Sequence, residues 1–206
     1  MVGGCITVRS TSPERERLIE PDLIVSAQHG EAAAWEGLVA QHQEAVFRLA
    51  YLLLGDSDDA QDVAQEAFIR AYQALGRFDV SRPMRPWLLH IAANLARNRR
   101  RSVGRYVAAL QRAFRAEPAQ AGRAAVEALT GQKMEAETLW RAVRRLREPE
   151  QHVVYLRFFL ELPEAEMAAA LDIAPGTVKS RLHRALKHLR AVIETDFPEL
   201  SRAFRP

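Results

Sequence analysis

Apolar positions recur at helical spacing through most of this chain. With Val178 set at zero and each residue advancing roughly 100°, Val178, Leu182, Ala185, Leu186, Leu189 and Ile193 fall in one stripe, while Ser180, His183, Arg184 and Lys187 lie opposite. The residues before it, Asp172-Ile173-Ala174-Pro175-Gly176, carry turn chemistry. Pro163 to Leu171 reads as a short helix opened by proline, with acids near its positive end. Helix, turn and basic amphipathic helix in succession make the pattern of a helix-turn-helix, whose second helix reads DNA.

The same periodicity divides the rest of the chain. A helix is expected from Asp22, capped by that aspartate, with Leu23, Ile24 and Ala27 on one face; it breaks near Gly30 and resumes from Glu31 through Leu54. Trp35, Leu38, Val39, Val46, Phe47, Ala50 and Leu54 are its core candidates. Gly55-Asp56-Ser57 punctuates. Ser57 or Asp58 then caps a helix from about Asp59 to Leu75, whose stripe is Ala60, Val63, Ala64, Ala67, Phe68, Ala71 and Leu75. After a proline-containing loop, Gly76 to Pro86, another helix is expected from Trp87 to about Arg101, packing through Trp87, Leu88, Ile91 and Leu95.

Residues 104–135 are alanine-rich, are interrupted by Pro118 and Gly122, and lack a sustained stripe, so they read as a linker. A second unit, 136–197, holds a helix with Leu139, Trp140, Val143 and Leu146, a break at Glu148-Pro149, an apolar helix from Val153 to Leu160, and the helix-turn-helix. Residues 1–20 read as a flexible tail and 198–206 as a short C-terminal tail. The expected fold class is therefore all-α: two small helical domains, 21–103 and 136–197, joined by the linker.

Composition agrees. The chain has 206 residues, 48% hydrophobic and 27% charged, as in globular proteins, with only 7% aromatic and little β-branched alternation. One cysteine, Cys5, excludes an internal disulfide framework and a cysteine-based zinc site. No apolar run approaches the roughly 18 residues of a membrane span, and no signal-peptide pattern opens the chain, so a cytoplasmic location is expected.

Charge changes the picture by its distribution. The net +3 hides five acids and no base from Asp56 to Glu66, against seven arginines and no acid from Arg97 to Arg115. Between Asp172 and Glu194 there is no acid, while Lys179, Arg181, Arg184, Lys187 and Arg190 all occur. Solvated surface helices usually mix signs, so this one reads as a DNA-facing helix.

The acids Asp58, Asp59 and Asp62 suit a helix N-terminus and on that ground need no partner. Ile69 is different, since it lies near Asp62, Gln65 and Glu66 on the face away from the stripe. An apolar residue among acids on an exposed face points to a protein partner. On the helix after the loop, His90, Asn94, Arg97 and Arg101 share a face, beside a loop carrying Arg77, Phe78, Met84 and Arg85. Those parts can hold phosphates and stack or pocket an unpaired base. Trp87 fits core packing better than a stacking platform for a base.

At these residues the chain resembles the extracytoplasmic-function (ECF) group of bacterial RNA polymerase sigma factors. Asp22-Leu23 with Gly30-Glu31 and Ala34-Trp35-Glu36-Gly37-Leu38 resembles the family's opening helix pair. Asp59 to Phe68 is similar to its polymerase-binding helix, Arg77-Phe78-Asp79 and Trp87 to Asn94 to its promoter-melting loop and helix, and Pro175 to Ala185 to its second domain. The resemblance implies that the two units are sigma region 2 and sigma region 4. It further implies that Asp62, Gln65, Glu66 and Ile69 meet the clamp helices of core RNA polymerase. Arg77, Phe78, Arg85, Trp87, Asn94, Arg97 and Arg101 would hold the minus-ten element and its flipped base, and Lys179, Ser180, His183, Arg184 and Lys187 would read the minus-thirty-five element. An anti-sigma factor is the implied regulator. No catalytic residue, metal or cofactor is expected. Two departures from the family pattern bear on shape: Glu161 stands where glycine is common before the penultimate helix, and Pro86 precedes Trp87 in place of a small or hydroxyl residue.

Two other readings compete on the residues alone. A free-standing helix-turn-helix regulator accounts for Ala174 to Leu189 but leaves the Ile69 face and the Phe78 loop without a role. A magnesium-dependent nuclease built on Asp58, Asp59, Asp62 and Glu66 lacks a nearby histidine or lysine to act as base.

Overall fold

The computed structural model describes the backbone of residues 13–114 and 131–203, and the side chains of 20–102 and 137–200. Among the described residues every regular element is helical. The amino-terminal module holds α1 (Pro13–Gln28), α2 (Ala32–Leu54), α3 (Ser57–Ala74), a 3-10 turn (Leu75–Arg77) and α4 (Met84–Phe114). The carboxy-terminal module holds α5 (Gly131–Arg144), α6 (Glu148–Val154) running into a π-helical turn (Tyr155–Phe159), α7 (Glu164–Leu171), α8 (Pro175–Asp196) and α9 (Pro198–Ala203).

Local chemistry explains most boundaries. Asp56 caps α3, its Oδ1 accepting from the backbone N–H groups of Asp58 (3.0 Å) and Asp59 (2.9 Å). That places the cap one residue before Ser57 and two before Asp58, the candidates read from the sequence. Gly55 closes α2 in the left-handed region at φ 76°, its N–H donating to the Tyr51 carbonyl at 2.8 Å.

Several boundaries differ from expectation. α1 starts at Pro13, inside the stretch read as a tail, and runs through Pro21, so Asp22 lies within the helix and is no cap. On either side of that proline the helix is held by buried Ile24 and Ala27 and by a 2.9 Å hydrogen bond between Glu20 and His42 of α2. α4 starts at Met84, before the expected Trp87, because Pro86 sits in the first turn, where a missing N–H costs nothing. The C-terminal residues expected as a tail form α9 instead; Phe197 and Leu200 fold back onto Ala142 with Leu139, Val192 and Ile193. α4 also continues to Phe114, into the stretch read as linker, and α5 begins before that stretch ends.

The stripe on α3 is the buried one, from Ala60 to Leu75, except that Phe68 is only partly covered. In α4 the buried face is broader than read: Met84, Leu88, Leu89, Ala92, Ala93 and Ala96 are covered, whereas Trp87, Ile91 and Leu95 are only partly so. The reason is that α4 packs on α2 and α3 along one side and on α7 along another. The two modules are thus in contact, and their buried side chains form one contiguous cluster. In α8, Val178 and Ala185 enter the core against α6 and α7, but Leu186 of the expected stripe is exposed.

Candidate functional site

Three surfaces collect the residues singled out by sequence. On α3, Asp62 and Gln65 are exposed and Ile69 is 53% exposed. Glu66 pairs with Arg70 one turn on, at 2.7 Å. Asp59 and Asp62 also face Arg99 of α4, which donates to Asp59 through Nε at 3.0 Å and lies 3.4 Å from Asp62. The hydrogen bond to Asp59, then its charge, raises the Arg99 pKa above its ordinary value. Beside Ile69, a groove of about 610 Å³ runs between α2 and α3, lined by Val39, Phe47, Ala64, Gln65 and Phe68. Val39 and Phe47, read as core, are therefore only half-buried and form part of an open apolar surface.

The second surface is the loop and the start of α4. Phe78 and Trp87 lie against each other, ring centroids 4.6 Å apart and tilted by 36°, both half-buried. Asp79 shapes the loop by accepting from the Ser81 hydroxyl (2.7 Å) and N–H (3.0 Å), and that hydroxyl bond lowers its pKa. Arg77 is exposed at the end of the 3-10 turn, and Arg101 is exposed on α4. Met84 is corrected: it is 0% exposed and belongs to the core, so it cannot meet a base.

Arg85, Asn94 and Arg97 lie in the expected region, but their polar groups are engaged, Arg85 and Arg97 with the carboxy-terminal module and Asn94 within its own helix. Arg85 Nη2 donates to the Leu160 carbonyl at 2.9 Å. Asn94 Nδ2 bonds His90 Nε2 at 2.8 Å, while His90 Nδ1 bonds the Ala170 carbonyl at 3.1 Å. Arg97 donates through Nη1 to Asn94 Oδ1 (3.1 Å) and through Nε to Glu148 Oε1 (3.2 Å).

The third surface is α8. Lys179, Ser180, His183, Arg184 and Lys187 are all exposed and share one side of the helix. Their few hydrogen bonds are local: Ser180 Oγ donates to the Thr177 carbonyl at 3.1 Å and Arg184 Nε to the Ser180 carbonyl at 3.3 Å. The turn that presents α8 uses Asp172 in the left-handed region at φ 53°. Pro175 stands in the first helical turn.

Sequence reading missed several positioning residues. Gln28, at the end of α1, donates through Nε2 to the carbonyls of Leu75 and Phe78, both at 2.9 Å, and so straps the 3-10 turn below the Phe78 loop. Nothing in local sequence marks it, since its partners lie about fifty residues away. Glu161 adopts φ 56°, keeping the conformation that a glycine would supply. His152 is buried next to Glu148, and burial lowers its pKa to about 4, with Arg97, Arg100 and Arg181 adding to the effect against Glu148.

An all-α chain with an acidic-apolar helix face, an aromatic loop beside a basic helix and a helix-turn-helix has the parts of a promoter-recognition factor. Comparison with known proteins agrees. Residues 38–106 match the family model for Sigma-70 region 2, and residues 136–189 match that for Sigma-70, region 4. The ECF RNA polymerase sigma factor SigW of Bacillus subtilis is 31% identical over 174 residues, covering 81% of this chain and 92% of that protein. The RNA polymerase sigma-H factor of Pseudomonas aeruginosa is 32% identical over 173 residues, covering 81% and 89%. Among solved structures, CnrH in complex with the cytosolic domain of CnrY is similar, at 25% identity and TM-score 0.64, covering 86% of this chain and 99% of that one. The chain belongs to the ECF RNA polymerase sigma factors, the transcription initiation factors of that family.

Proposed function

We propose that this sigma factor divides its work among the three surfaces, with residues 21–103 acting as region 2, 104–135 as the connection and 136–197 as region 4. Asp62, Gln65, Glu66 and Ile69 bind the clamp helices of core RNA polymerase. Arg77, Phe78, Arg85, Trp87, Asn94, Arg97 and Arg101 hold the melted minus-ten strand, and Lys179, Ser180, His183, Arg184 and Lys187 read the minus-thirty-five element in the major groove. Binding to the open strand shifts the melting equilibrium, so no bond chemistry is needed. The protein works in the bacterial cytoplasm with core polymerase, and an anti-sigma factor holds it inactive; that CnrH was solved with a bound partner chain supports the last point.

The observation that carries this reading is Ile69, half-exposed among Asp62 and Gln65 at the rim of the α2–α3 groove. A large apolar side chain left open beside carboxylates fits a basic, amphipathic helical partner. The test is run-off transcription with core polymerase on a randomised promoter library, alongside core-binding measurements for Asp62→Ala and Arg184→Ala. Asp62→Ala is expected to weaken core capture and Arg184→Ala to impair use of the upstream element. Equal loss of core binding in both variants, or no start-site selectivity from the parent, overturns the assignment.

A further inference from the structure

The loop that carries Phe78 is built of two turns, and they are held from different places. In the second, Asp79 accepts from the Ser81 N–H and hydroxyl, so its bonds stay inside the loop. In the first, the Phe78 N–H donates to the Leu75 carbonyl at 2.9 Å, and a grip on both residues comes from α1. Gln28 Nε2 donates to the Leu75 and Phe78 carbonyls at 2.9 Å each. Two carbonyl acceptors around one atom require the amide NH2 there, with both of its hydrogens used. Phe78 thus stands where the two turns meet, its carbonyl tied to α1 and its ring 4.6 Å from that of Trp87.

α1 is fixed firmly enough to hold such a grip. It packs on α2 with Ile24 and Ala27 buried, and the 2.9 Å hydrogen bond between Glu20 and His42 secures it further up the chain. Directly after Gln28 the helix is closed by Gly30 in the left-handed region at φ 91°. The Gly30 N–H donates to the Ala27 carbonyl at 3.0 Å and the Glu31 N–H to the Ser26 carbonyl at 3.1 Å. Those bonds set the last turn of α1, and with it the point from which the Gln28 side chain reaches the loop.

We propose that Gln28 is a positioning residue for minus-ten recognition: from a helix outside the loop it fixes the Leu75–Phe78 turn, and so sets the Phe78 surface offered to an unpaired base. The inference rests on reading that loop as the strand-binding element. It goes beyond that reading, since Gln28 acts through two backbone carbonyls and precedes residues 38–106, which match the region 2 family model. The physical reason is preorganisation. A loop released from α1 samples other placements of Phe78, and ordering it again weakens the capture of each strand. Aromatic stacking by itself accepts any base, so selectivity depends on the ring being set before the base arrives.

The test uses holoenzyme assembled from core polymerase and the full chain. It is given a pool of fork-junction DNA randomised in the upstream duplex and in the unpaired minus-ten stretch, and the bound fraction is sequenced. The best-bound sequence is then measured as the fork junction and as the same duplex without its unpaired stretch. The ratio of the two affinities isolates what the loop and its strand add. Gln28→Glu keeps the shape of the side chain but turns an acceptor toward two acceptors; it is expected to lower the ratio about fivefold, as when the competent loop falls to about one-fifth occupancy. Gln28→Met, which loses the bonds without adding repulsion, should lower it less. Affinity for the shortened duplex and for core polymerase should be unchanged in both. Ile24→Val softens α1 without touching the amide and should leave the ratio as in the parent. An unchanged ratio in Gln28→Glu overturns the inference and leaves the strand-binding reading standing. A ratio lowered as far by Ile24→Val overturns it too, because general loosening of α1 would then account for the effect. A parent whose unpaired stretch adds no affinity overturns the strand-binding reading and this inference with it.

Discussion

Helices α4 and α8 carry the two basic faces of this protein, and they stand in opposite conditions. On α8 the side chains of Lys179, His183, Arg184 and Lys187 are exposed, and Arg184 bonds only a carbonyl of its own helix. On α4 the comparable groups of Arg85, Asn94 and Arg97 are all engaged, most of them across the module interface. The two helices look alike in charge, since neither basic face carries an acid of its own. The difference is external. α8 turns its basic side away from α6 and α7, whereas α4 lies between its own module and α7. A basic helix face therefore reports what it can bind, and its neighbours report whether it is free to do so.

The largest effect that would sharpen this contrast is on DNA. Arg184→Ala should cost about 1–3 kcal/mol in upstream-element recognition, measured by holoenzyme affinity for promoter fragments. Arg97→Ala should show a smaller net loss, because the same change also releases the module that covers α4. A larger loss for Arg97 than for Arg184 would remove the distinction between a free face and an occupied one.

Acid should loosen the covered face first. His152 beside Glu148 is held neutral, with a folded pKa of about 4 against an ordinary 6.5, so the unfolded chain takes up the proton more readily. Its contribution to stability is complete above about pH 6.5 and declines as pH falls toward 4. Between pH 7 and pH 5 the loss is about 2 kcal/mol, read as a shift in urea midpoint. His152→Gln should flatten that slope, and an unchanged slope would assign the acid sensitivity elsewhere.

Glu161→Gly is expected to stabilise by about 1 kcal/mol, because glycine reaches φ 56° without the penalty of a β-carbon. Arg85 bonds the carbonyl just before it, so the gain should also steady that contact, and thermal denaturation measures it. Lower stability in the glycine variant would mean that the Glu161 side chain contributes more than its backbone strain costs. The smallest effect belongs to the open face. Lys187→Ala should change stability by less than about 0.5 kcal/mol while reducing the salt dependence of DNA binding by about one unit of slope.

Much of the site was legible in the chain because single helices declare their own faces. The Ala60-to-Leu75 stripe of α3 is buried as its spacing required, and Ile69 is exposed as its acidic company implied. The turn and basic helix from Asp172 onward needed only local residues to form, and they are where they were expected. The reading went astray wherever a distant segment supplies the other half of a contact. Asp22 looked like a helix cap although α1 runs through it from Pro13, and Met84 looked available to a base until the core closed over it. Leu200 looked like a tail residue because its partners lie on α5 and α8. Gln28 had no local signal at all.

What the sequence determined by itself was the helical class, the segregation of acid from base and the family, since each follows from residue type and spacing within one element. What only the tertiary structure decided was which of those faces is covered. Coverage depends on the packing of α7 and the Glu148 turn against α4, about fifty to eighty residues away along the chain. Helical periodicity has no reach over that distance, because it is set by hydrogen bonds four residues apart.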